Sequence, residues 1–171
     1  MCQVISTTAD LMEACFAKDL KRFTELYDIL GRGNQVKTLI WSVQAGWETA
    51  VSYLSRTEGA TLHPPGENLL CEAIRFNRAS LVRYIIRRGE FYNERHFPDI
   101  IEAIHLAEKK CQHETALYLL NFLLDRTTEG LLEEKFGFKI SESLKTYSRG
   151  REYINHTRHV REINYLQHIS V

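Results

Sequence analysis

Four stretches of this chain can be laid over one another, and a sequence built that way folds by stacking copies rather than around one central core. The clearest copy, NLLCEAIRFNRASLVRYIIRRGEFYN, runs from Asn68 to Asn93. Its first half, Leu69 to Phe76, places Leu70, Ala73 and Ile74 on one helical face. Asn77 suits a left-handed residue that ends a helix and turns the chain. Its second half, Ala79 to Arg88, sets Leu81, Val82, Ile85 and Ile86 in one apolar stripe, and Gly89 is expected to stop the helix.

The second copy follows the same grammar. Leu39, Ser42 and Val43 make an inner helix, Gly46 the turn, Ala50, Val51 and Leu54 the outer helix, and Gly59 its end. In the first copy Leu11, Ala14 and Cys15 precede Leu20, Phe23 and Leu26. In the fourth, Ile100, Ala103 and Ile104 precede Ala116, Leu119 and Leu120. Small residues set the register: Ala14, Ser42, Ala73 and Ala103 lie 28, 31 and 30 residues apart. A leucine at such a helix contact would overpack it by about 1–3 kcal/mol. Each helix pair is too short to stand alone, so neighbours must bury one another's stripes.

These copies resemble ankyrin repeats. Leu70 stands where that family has its opening Leu, Ala73 and Ile74 at its Ala pair, Asn77 at its turn Gly, and Gly89 at its closing Gly. The second copy keeps Leu39, Gly46, Gly59 and Ala60, with Glu58 as an insertion. No copy carries Thr-Pro-Leu-His, Lys18 replaces the turn Gly of the first copy, and the fourth holds about four extra residues around Glu108 to Cys111. The expected fold is an all-α, helical-hairpin repeat solenoid of about four degenerate ankyrin-like repeats with a C-terminal helical cap. An unclassified helical solenoid is the alternative.

The resemblance covers residues 9 to 125, so residues 1–125 read as the repeat stack. Residues 126–146 read as capping helices, with Gly137 as a break and Leu131, Leu132, Phe136, Ile140 and Leu144 as the capping side chains. Residues 147–171 form a basic and aromatic tail in which Val160, Ile163 and Leu166 suit an amphipathic helix.

The 171 residues carry 22 Lys plus Arg against 22 Asp plus Glu, so no global field favours nucleic acid or an anionic membrane. No run approaches a membrane span, and the N-terminus has no signal-peptide pattern. Cys2, Cys15, Cys71 and Cys111 form no C-x-x-C pair and read as reduced thiols in a cytoplasmic protein. No hydrolase, zinc-protease or phosphate-loop motif is present, and the sequence suggests no metal site, cofactor or catalytic group. Cys111 and His113 would face different sides of a helix.

The ankyrin resemblance implies a non-enzymatic module that binds another protein through its concave face. The positions it picks out are Phe16, Gln44, Arg75, Phe76, His105 and Leu106, with Trp47 at the position of a family His. Phe16 and Trp47 have an alternative role as filler for missing family residues. Short divergent ankyrin proteins also occur as bacterial effectors and viral host-interaction proteins, and the style of this chain fits that class. Two other classes compete. One is a small enzyme or toxin-related protein using His156, His159 and nearby Arg. The other is a tail-dependent nucleic-acid or lipid binder.

Overall fold

The structure, a computed structural model, describes residues 7–89 and 91–149. All regular structure among these residues is helical, with no strand. The helices are α1 (Thr8–Ala17), α2 (Leu20–Leu30), α3 (Gln35–Ala45), α4 (Glu48–Arg56), α5 (Leu69–Arg75), α6 (Ala79–Arg88), α7 (Phe97–Lys109), α8 (His113–Leu124) and α9 (Glu129–Phe136). Residues 142–149 form a further helical segment. Short 3-10 turns at Arg32–Asn34 and Glu94–His96 precede α3 and α7, so the connections between hairpins are loops and turns. The chain divides into two compact units, Met1–Leu106 and Ala107–Val171, with the boundary inside α7.

Side-chain caps start several helices where the sequence changes from loop to apolar stripe. Thr7 and Asp10 form a reciprocal box: the Thr7 N–H donates to Asp10 Oδ2 at 2.7 Å, and the Asp10 N–H donates to Thr7 Oγ1 at 3.4 Å. Asp19 accepts from the Arg22 N–H ahead of α2, and Thr128 from the Leu131 N–H ahead of α9. Asn68 accepts from the N–H groups of Leu70 and Cys71, so α5 begins there.

In the first unit, α1 packs on α2, α3 on α4 and α5 on α6, and α3 contacts both α1 and α5. The first helix of each pair ends in a left-handed residue: Lys18 (φ 56°), Gly46 (φ 69°) and Asn77 (φ 56°). The next residue's N–H then donates back to a small residue: Asp19 to Ala14 at 3.2 Å, Trp47 to Ser42 at 2.9 Å and Arg78 to Ala73 at 2.7 Å. Ala14, Ser42, Ala73 and Ala103 are all fully buried, as their spacing predicts. The Ser42 hydroxyl donates to Thr38 O at 2.8 Å, so it enters the core satisfied.

The fourth copy has a different register. Cys111 is its left-handed residue (φ 56°), and the Gln112 N–H donates to Ala107 O at 2.8 Å. Ala107, not Ala103, therefore takes the capping position. The residues that read as an insertion, Glu108 to Cys111, are the last turn of α7 and its cap. Both alanines are buried, and α7, at 13 residues, is longer than α1, α3 and α5.

Three other positions differ from expectation. Leu20 is 46% exposed and lies outside the core that holds Phe23 and Leu26. Leu131 is exposed, while Leu132 and Leu144 are buried with Phe138 in the second unit. Gly89 ends α6 without a left-handed turn (φ −87°). It is needed for space: a Cβ there would lie 2.6 Å from the Phe91 ring and 2.7 Å from Ile85 O. Gly137 does take the left-handed conformation (φ 64°) and ends α9, matching the expected break.

The turns give opposite expectations for two substitutions. A Gly46→Ala change places a Cβ 2.9 Å from Arg78 at positive φ. It is expected to cost about 1–2 kcal/mol in urea melts. Asn77→Gly relieves a left-handed non-glycine and is expected to be neutral or to add up to ~1 kcal/mol. Equal behaviour of the two variants would refute the conformational argument.

Candidate functional site

The residue two before each left-handed turn is Phe16 in the first hairpin, Gln44 in the second and Arg75 in the third. Helix geometry sends these side chains away from the buried stripe. Phe16 is 48% exposed, Gln44 half-buried and Arg75 exposed, and Phe76 beside it is 42% exposed. Met12, one helical turn before Phe16, is also exposed, so α1 offers two adjacent apolar side chains.

Polar bonds tie these ends together. Gln44 Nε2 donates to Glu72 Oε2 at 3.0 Å, and Arg75 pairs with the other oxygen of Glu72. Arg78 Nε donates to Gln44 O at 3.1 Å, and Lys18 Nζ donates to Gly46 O at 3.3 Å. Partly exposed bonds of this type add little stability, on the order of 1 kcal/mol or less. Their effect is positional: Glu72 is buried and holds Gln44 and Arg75 in fixed relation.

Trp47 does not share this surface. It is 7% exposed and packs edge-on against Phe23 at 5.2 Å. Phe23 in turn stacks on Tyr27 at 5.8 Å and meets Tyr53 edge-on at 6.0 Å. Trp47 thus belongs to the core where α2 meets α4. His105 is exposed and Leu106 half-buried. With the fourth turn at Cys111, Lys109 takes the position equivalent to Arg75, so His105 and Leu106 lie one helical turn earlier. His156 and His159 lie outside the described residues.

A second polar cluster escaped the sequence reading. His63, His96 and Asp99 line one hollow of about 370 Å³ together with Asn68 and Glu102. The His63 ring stacks on His96 at 4.1 Å and meets the Phe91 ring at 3.8 Å. Burial pushes the His63 imidazole down to about 4, with His96 and Arg95 beside it acting in the same direction. Burial raises the Asp99 carboxyl, against the opposing pull of His96. Asn68 joins the hollow to the helix start, since its Nδ2 donates to Asp99 O at 2.9 Å and Glu102 Oε2 at 3.0 Å. His63 and His96 are about one repeat apart, and only the repeat register relates them in sequence.

Cys15 and Cys71 are buried free thiols. Burial pushes them up to about 11 and about 12, so both stay protonated and neither is an activated nucleophile. No helix among the described residues is long and apolar enough to cross a membrane. No protein-family model matches the chain, and neither a curated protein nor a solved structure matches it.

Packing and exposure separate the aromatic residues. Trp47→Ala is expected to cost about 3–5 kcal/mol in denaturant melts, the range for a large buried aromatic. Phe16→Ala and Phe76→Ala should each change stability by about 0.5 kcal/mol or less. A large loss at Phe76 would place it in the core. His63 gives a pH signature in chelator-treated buffer. Its folded pKa is depressed, so the unfolded chain takes up the proton first as pH falls. Stability from His63 is complete above about pH 6.5 and is lost towards pH 4. A His63→Gln variant should show a flatter melting-temperature profile across that window, and an unchanged profile would contradict the assignment.

Proposed function

We propose that the chain is a non-enzymatic protein-interaction module of the ankyrin-like helical-hairpin class. The binding face is formed by Phe16, Gln44, Arg75 and Phe76 in the first unit, with His105 and Leu106 at its margin. The observation that carries the reading is the equivalent placement of Phe16, Gln44 and Arg75 before successive left-handed turns, with Phe76 exposed beside Arg75. Aromatic and arginine side chains are the common anchors of protein interfaces. The turn residue at the family's Gly position, the paired short helices and the lateral packing of α3 on α1 and α5 support the ankyrin-like class.

The chemistry of the face defines the partner. It is a polypeptide that covers Phe16 and Phe76 with apolar side chains and offers an acceptor to Arg75. Free thiols at Cys15, Cys71 and Cys111 fit a reducing compartment, which agrees with a cytoplasmic partner.

The test is affinity capture from lysate, followed by titration of the purified partner. Arg75→Glu with Phe76→Ala is expected to weaken binding at least tenfold while the melting temperature stays near wild type. Hot-spot residues typically contribute about 2 kcal/mol or more, which makes that loss measurable. A partner bound equally by the folded double variant would remove this face from the mechanism.

A further inference from the structure

We propose that His63, His96 and Asp99 form a binding site for one divalent first-row transition-metal ion, with zinc as the natural probe. One donor atom from each of the three residues lies within 4.8 Å of the others. In a tetrahedral site with bonds of about 2.0–2.1 Å, donors lie about 3.4 Å apart, so closure needs side-chain shifts of about an ångström. Two imidazoles and one carboxylate are a borderline donor set. It selects zinc and its neighbours over magnesium or calcium, which require oxygen ligands. Three protein ligands leave a position for water or a further group, and Glu102 lines the same hollow.

One feature of the hollow points to a ligand. His63 Nε2 is buried with no hydrogen-bond partner, which is costly for a polar atom unless something else fills its coordination. At His96, Arg95 Nε donates to Nε2 at 2.9 Å. That nitrogen is occupied by a cationic donor on the exposed 3-10 turn, a place-holder that an incoming ion must displace. The site spans two connections. His63 belongs to the loop before α5, His96 ends the 3-10 turn before α7, and Asp99 lies in the first turn of α7. Bound metal would clip these segments together beside the existing Asn68 bridge.

Titration of the full chelator-treated chain with Zn²⁺ by calorimetry, and with Co²⁺ by visible absorption, tests the site. One saturable site and a raised melting temperature are expected, and Mg²⁺ should produce neither. His63→Gln and the near-isosteric Asp99→Asn should each weaken Zn²⁺ binding at least tenfold, with metal-free melting confirming that both fold. A variant with His156→Ala, His159→Ala and His168→Ala should bind as wild type. Arg95→Ala should bind severalfold more tightly, and no gain there would overturn the place-holder role. Absence of saturable binding would overturn the site. So would binding unaffected by His63→Gln and Asp99→Asn, or binding lost with the tail histidines.

Discussion

The hydrogen bond that closes each first helix onto a small residue is the constraint on which the hairpins depend. It forms only if the intervening residue turns left-handed, and it fixes where the second helix of the pair begins. Lys18, Gly46, Asn77 and Cys111 are chemically unlike, yet each adopts that conformation. The conformational cost to the three non-glycine residues is small beside the burial it makes possible. Ala14, Ser42 and Ala73 accept the closing bonds and present little bulk to their neighbours. The same residues therefore serve the turn and the helix contact.

The exposed ends of these helices inherit their positions from that geometry. Phe16, Gln44 and Arg75 occupy one register because the turn after each is the same. Glu72 then acts as a buried hinge pin between Gln44 and Arg75. A surface built this way sits on helices, and its side chains can vary without altering the fold beneath.

The third hairpin was the most legible part of the chain, and its outer helix runs over the residues the apolar stripe marked, Ala79–Arg88. Its pattern of apolar spacing, Asn turn and closing Gly contains no competing register. The fourth copy was ambiguous because Ala103 and Ala107 share a face of α7, and periodicity cannot choose between two small residues one turn apart. The left-handed Cys111 decides it, and cysteine gives no such signal in sequence. Leu20 looked like core by type, but it lies at the first turn of α2, before the stripe rotates inward. Trp47 was ambiguous between surface and core because its burial depends on Phe23, one hairpin earlier. The His63 cluster was invisible for a related reason: its members meet only after the loops before α5 and α7 are brought side by side. The all-helical class was readable from period alone, whereas pairwise chemistry between copies required coordinates.

Gly89 shows how far a backbone requirement can reach. The missing side chain lets the Phe91 ring lie against the end of α6, and Phe91 is the surface on which His63 rests. One wall of the histidine hollow thus lies against a residue that does not line it. A Cβ at position 89 would meet the Phe91 ring at 2.6 Å, so the ring on which His63 rests would have to shift. A glycine chosen by neither turn nor flexibility then acts as a spacer for an aromatic ring two residues on.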